Sequence, residues 1–280
     1  MRKFIYGRSF FPQRFGWFLG ILAFWNNARA VIPPEWDIAR EQNWAMQITE
    51  RLQDGEAIWL QSQLGKFLAL YQPARGRGES PGAVLILPPP YTHPNSDPLR
   101  GIRVALPRSG WHTLSLQLPA LDLSHSDYSS LLPAACERLG NSRAWLENRG
   151  WKNVAVLGHS TGAAVAAACI AQMENLQLCG VILLSPSNFG TPAGLDLSAS
   201  LAKITPPILD LYADSKSAAI SAIDRAAGRR VRNQPYRQAI LPASDSHLAG
   251  INDVLIARIS GWLQRYCANP PAPQPKTDQK

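Results

Sequence analysis

Between residues 83 and 266, short apolar-rich runs, unbroken at Ala83–Leu87, alternate with longer stretches whose pattern is helical. Ala83–Leu87, Trp111–Leu118, Asn153–Leu157, Cys179–Leu184, Ile208–Ala213 and Gln238–Leu241 read as strands. A continuous run of this kind suits a strand buried on both faces. Between them lie predicted helices at Pro98–Leu106, Tyr128–Asn148 (interrupted near Pro133 and Gly140), Thr161–Met173 and Ala218–Gly228, with a closing amphipathic helix at Gly250–Tyr266. Repeated β-α-β units of this sort predict a parallel sheet covered by helices on both faces.

The segment before residue 83 has a different rhythm. Trp36, Ile38, Ala39, Trp44, Ala45, Ile48 and Leu52 fall at helical spacing. Glu56–Gln63 and Lys66–Gln72 then read as two strands flanking a Leu64-Gly65 turn, an antiparallel hairpin added to the sheet. Arg75–Gly82 reads as a loop. No internal repeat is evident.

The two ends of the chain depart from this pattern. Arg2, Lys3, Arg8 and Arg14 precede an apolar run from Phe15 to Trp25, followed by Ala28-Arg29-Ala30. That order predicts a signal peptide over residues 1–30, cleaved after a small-x-small site, and hence a periplasmic or secreted protein. The alternative is an uncleaved anchor, but the run is shorter than the roughly 20 residues a bilayer span needs. Residues 31–267 would form one α/β domain. Residues 268–280, rich in Pro, Gln and Lys, read as a disordered tail.

Composition sharpens this picture. Of the 280 residues, 46% are hydrophobic and 17% charged, a globular balance. The formal net charge is +8, but residues 1–30 hold five basic residues and no acid, so cleavage leaves +3. No basic stretch interleaved with aromatics appears, which excludes nucleic acid as an expected partner. Arg229-Arg230-Val231-Arg232 reads as a solvated helix end. Cys136, Cys169, Cys179 and Cys267 match no metal spacing and admit three full disulfide pairings. Cys169, in an Ala-rich helix, reads as a small core residue.

The chemical signal is Gly158-His159-Ser160-Thr161-Gly162. It follows an apolar strand and opens a helix, the setting in which G-x-S-x-G acts as a nucleophile elbow. The turn lifts the Ser160 hydroxyl to the carboxyl edge of the sheet. Gly158 and Gly162 suit a turn too tight for side chains on either side of it. The Thr161 amide, at the helix N-terminus, can stabilise an oxyanion. A serine needs a base. Among His93, His112, His125, His159 and His247, the last follows the final strand and fits the order Ser, acid, His. His159 lies inside the elbow and is poorly placed to turn back onto Ser160. For the acid, Asp214 ends the strand Ile208–Ala213. Asp245 is the alternative, and Asp210 lies too early on the strand.

The order of hairpin, Gly82–Pro88 loop leading to His93-Pro94, Gly110-Trp111, Leu114–Pro119, elbow, Leu209–Tyr212 and Asp245–His247 resembles the α/β-hydrolase superfamily. More narrowly, it resembles an uncharacterised family of exported proteobacterial proteins of that fold. The resemblance implies an eight-stranded, mostly parallel sheet and a periplasmic setting, and no known substrate. Two features depart from the superfamily pattern. Where many members have His-Gly, followed by a residue whose N–H joins the oxyanion hole, this chain has Pro88-Pro89-Pro90, which lack N–H groups. The second donor must then come from Tyr91, Thr92 or a side chain. Asp214 also falls two residues before the common acid position. The expected activity is hydrolysis of an ester or related acyl compound by Ser160, His247 and Asp214, with Thr161 and Tyr91 at the oxyanion. Neither metal nor organic cofactor is implied, and the expected partner is a small acyl substrate. Ser187–Thr205 would form a small cover. Two other readings use the same fold: a catalytically impaired binding protein of the cell envelope, and an acyltransferase employing the same serine.

Overall fold

The computed structural model describes residues 32–76, 79–125, 127–173, 175–187, 195–230, 235–241 and 253–269. The predicted signal segment, and the tail beyond Asn269, lie outside them.

Eight strands form one sheet. They are β1 (Glu56–Ser62), β2 (Gly65–Gln72), β3 (Ala83–Leu87), β4 (His112–Leu116), β5 (Val154–His159), β6 (Gly180–Leu184), β7 (Ile208–Ala213) and β8 (Tyr236–Leu241). Their order across the sheet is β1-β2-β4-β3-β5-β6-β7-β8. β1 and β2 pair antiparallel, as do β2 and β4, and every pair from β4 through β8 is parallel. This is the mostly parallel α/β-hydrolase architecture with an antiparallel start.

The central strands β3 and β6 carry no polar side chain, because helices cover both faces. They are α1 (Ile38–Arg51), α2 (Leu99–Ala105), α3 (Leu132–Glu147), α4 (Thr161–Gln172), α5 (Leu197–Leu201), α6 (Lys216–Arg230) and α7 (Asp253–Leu263). Successive strand residues point to opposite faces. Leu85, Leu87, Val156 and Leu183 therefore pack with α3 and α4. Val84, Ile86, Leu157 and Ile182 pack with α2 and α7. α1 covers the β2 end through Ala45 and Ile48 against Leu68 and Leu70.

Buried polar groups tie the N-terminal segment to this core. Glu41 accepts from Trp36 Nε1 (2.8 Å) and pairs with Arg138 (2.8 Å), whose other nitrogen donates to the Gln117 carbonyl. Two disulfides, Cys136–Cys169 and Cys179–Cys267, select one of the three pairings. Cys169 is thus a buried cross-link between α3 and α4 as well as a core residue.

Several boundaries differ from the sequence pattern. The hairpin turn is Gln63-Leu64, with Gly65 already in β2 opposite Ser62. α3 is not interrupted. Pro133 sits in its first turn, where no backbone donor is needed, and Gly140 packs against the tip of Met173. Ser129–Leu131 forms a separate 3₁₀ turn ahead of it. α5 lies inside the predicted cover segment, capped by the Asp196 side chain. α6 extends to Arg230, and Arg229 is buried with its guanidinium donating to the carbonyls of Ile204 and Pro206, so it is not a solvated helix end.

Candidate active site

The parallel strands β3 to β8 deliver their carboxyl ends to one edge of the sheet. β5 ends there at His159, and Ser160 follows with φ 53° and ψ −127°. A non-glycine residue in that region costs about 1–3 kcal/mol and persists only where its surroundings enforce it. The enforcing contacts are backbone. A Cβ on Gly162 would lie 2.5 Å from the Pro88 carbonyl oxygen and 2.6 Å from that of Leu87, while one on Gly158 would lie 2.5 Å from Ala163 Cα. The helix start is therefore pressed onto both β3 and β5. Ser160 N–H donates to Leu184 O (3.0 Å), fixing the turn against β6.

The Ser160 hydroxyl does not cap its own helix, so its lone pairs stay available. As the first residue of α4, Thr161 has an amide with no intrahelical acceptor. Its hydroxyl is buried and unpartnered. The amide is thus a first-turn donor left over by the helix, next to Ser160 in the chain.

The loop after β3 meets the elbow from the other side. Tyr91 Oη lies 3.3 Å from Ser160 Oγ. The loop is pinned along its length. Thr92 N and Oγ1 both donate to Pro89 O, Leu121 N donates to Pro90 O, and buried Ser115 donates to Pro94 O. Arg103, fully buried on α2, holds Asn95 Oδ1 (2.9 Å) and the Asp54 carbonyl (2.7 Å). Burial lowers the Arg103 pKa to about 10, well above neutral pH, so it remains cationic.

At the next strand end, Ser185 also has positive φ (44°) and a buried, unpartnered hydroxyl. Neither it nor Arg103 was legible as a site residue, since one follows an ordinary apolar strand and the other sits in a helix of mixed composition. At the end of β7, Asp214 is exposed at the same carboxyl edge. Asp210 is occupied elsewhere. It is fully buried and accepts from Arg225 (2.7 and 3.1 Å), Tyr236 Oη (2.6 Å) and Gln238 (3.1 Å). His247 and Asp245 lie outside the described residues.

Among the described residues, none of the other histidines hydrogen-bonds to Ser160. His112 sits at the amino end of β4, its Nδ1 between Tyr71 Oη (2.7 Å) and Ala74 N (3.2 Å). His125 is bonded to Ser124 in an exposed segment. His93 packs edge-on against Trp44. His159 makes no hydrogen bond to Ser160, and burial lowers its pKa to about 4. Among the described residues, no group of three His, Cys, Asp or Glu side chains gathers as a metal site, and no helix is long and apolar enough to cross a membrane. A cleft of about 770 Å³ lined by Met173, Leu176, Lys203 and Pro206 opens at the far end of α4, remote from Ser160.

Comparison with known proteins places this geometry. A family model described as protein of unknown function (DUF3530) matches residues 27–135 and 126–265. No curated protein matches the sequence. Among solved structures, a lipase/esterase from Lactobacillus plantarum is 15% identical with a TM-score of 0.59, covering 75% of this chain and 96% of its own. Est1E from Butyrivibrio proteoclasticus, solved with ferulic acid bound, is 12% identical with a TM-score of 0.60, covering 76% and 100%. A dienelactone hydrolase from Anabaena variabilis is 17% identical with a TM-score of 0.57, covering 76% and 97%. At these identities the likeness is one of fold.

Proposed function

We propose that this chain, which belongs to the DUF3530 family of proteins of unknown function, is a serine hydrolase acting on a small ester or related acyl compound. The observation that carries the reading is the strained Ser160 at the start of α4, its hydroxyl not used to cap its own helix. A non-glycine residue held in such a conformation is a reason to look for function there.

Ser160 Oγ attacks the carbonyl carbon while His247 takes its proton. The oxyanion of the tetrahedral intermediate is held by Thr161 N–H and a second donor at Tyr91. Collapse breaks the ester bond, and His247 returns the proton to the departing alcohol. Water then repeats the sequence on the acyl-enzyme, releasing the acid and restoring Ser160. Asp214 orients His247. Chain length supports this assignment of the base. β5 and β8 are three strand spacings apart, about 14 Å. The six residues from Leu241 to His247 span up to about 20 Å.

The setting we infer is the periplasm or the outside of the cell. The signal-like residues 1–30 support it, as do two disulfides of a kind that persists in oxidising compartments. The esterases of similar fold make esters the first substrates to try.

The test is fluorophosphonate labelling together with hydrolysis of p-nitrophenyl esters. Wild-type protein should label once per chain and turn over ester. Ser160→Ala should lose the label and about 10⁴-fold or more of the rate. Folded wild-type protein that neither labels nor hydrolyses would refute the enzyme and leave a binding module of the same fold. Acyl transfer to added alcohol at the expense of hydrolysis would redirect the reading to an acyltransferase.

A further inference from the structure

We propose that the second oxyanion donor is the phenolic hydroxyl of Tyr91 and not a backbone amide. The inference rests on the serine-hydrolase reading above and names a catalytic group within it. Three observations lead to it. Pro88, Pro89 and Pro90 occupy the stretch from which a backbone donor would come, and none has an N–H. The Thr92 amide is spent on the Pro89 carbonyl at 3.0 Å. The amide of Tyr91 makes no hydrogen bond to Ser160, whereas its hydroxyl lies 3.3 Å from Ser160 Oγ.

The position suits the chemistry. The oxyanion is the former carbonyl oxygen, borne by the carbon that Ser160 Oγ attacks, so a hydroxyl already touching Oγ needs only a small rotation to donate to it. Its partner donor, Thr161 N–H, belongs to the rigid helix start. The prolines fix the backbone dihedrals of the loop, and the bonds from Ser115 and Arg103 hold it to the sheet. With its backbone held, the loop keeps the hydroxyl beside Ser160 Oγ before substrate arrives, and placement in advance is what gives an oxyanion donor its effect. The Tyr91 ring is 39% exposed, so a substrate can reach the face of the site that it walls.

Tyr91→Phe tests this, because it keeps the loop, the ring and the amide and removes one oxygen. The expected result is a fall in kcat of about 10²- to 10³-fold, with KM within about threefold of wild type. Affinity for an aryl boronic acid, which forms a tetrahedral adduct on the serine, should fall by a similar factor. Fluorophosphonate should still label one serine per chain, more slowly. If wild type is active and Tyr91→Phe keeps kcat and boronate affinity within about threefold, the hydroxyl is not the donor. A loss confined to KM would likewise overturn the proposal and leave Tyr91 as a binding wall. An inert wild-type protein fails the serine-hydrolase reading itself, a separate result from either.

Discussion

The elbow side of the sheet and the β7–β8 side are built by different means. β3, the first five residues of β5, and β6 are buried at every position, and Ser160 is fixed by backbone packed on backbone at Gly158 and Gly162. β8 is the edge strand, with most of its residues half-buried or exposed. Its junction with β7 and α6 is held by an ion pair, Asp210 with Arg225, shared with Tyr236 and Gln238. The nucleophile thus belongs to a part of the molecule held by backbone contact. The acid and base that we assign to it arrive from the part that depends on side chains. Damage on the two sides should have different signatures: loss of catalysis without unfolding near the tips, and loss of stability at the buried polar junction.

The largest expected effect is catalytic. Asp214→Asn should lower kcat by about 10⁴-fold, the scale seen when a triad acid is made neutral. The thermal midpoint should hardly move, because Asp214 is exposed. Steady-state ester hydrolysis and a melting curve on the same preparation check both halves. A variant within tenfold of wild type would remove Asp214 from the triad, and Asp245→Asn should then carry the loss.

Stability comes next in size. Arg225→Met leaves the fully buried Asp210 carboxylate without its cation, and breaking a buried pair in this way costs about 3–5 kcal/mol. Urea unfolding measures it. A loss under about 1 kcal/mol would mean that Tyr236 and Gln238 alone satisfy Asp210, and the two sides of the sheet would be less distinct than they look. The protein that remains folded should still label at Ser160, because the elbow does not rest on this junction.

The same contrast explains what the sequence makes legible. Strands β3, β5 and β6 appear as apolar runs because burial on both faces forces continuous hydrophobicity. The elbow appears because its glycines are required by local backbone approach. The continuity of α3 through Pro133 and Gly140 is not visible, since a proline in the first turn and a glycine under Met173 look like breaks until the partners are known. Asp210 could be set aside as lying too early on its strand. Its four hydrogen bonds come from α6 and β8, however, and follow no local pattern. The meeting of the Tyr91 hydroxyl with Ser160 Oγ joins residues 69 positions apart, so no motif records it.

The smallest effect probes how dry the elbow is. Burial lowers the His159 pKa from an ordinary 6.5 to about 4, so the folded ring stays neutral to about pH 4 while the unfolded chain takes up a proton below about pH 6.5. Above pH 6.5 the ring has no effect on the balance. As the pH falls from there, the unfolded state gains protons that the folded state cannot bind, and stability drains away by about 1.4 kcal/mol per pH unit. The loss from this ring should reach about 2 kcal/mol at pH 5 and level off below the folded pKa. In His159→Gln, the drop in unfolding free energy between pH 7 and pH 5 should shrink by about that amount. A residual slope should persist from His93 and His112, whose pKa values burial also lowers. An unchanged slope would mean that water reaches the ring, and that the turn holding Ser160 is looser than the contacts at Gly158 and Gly162 require.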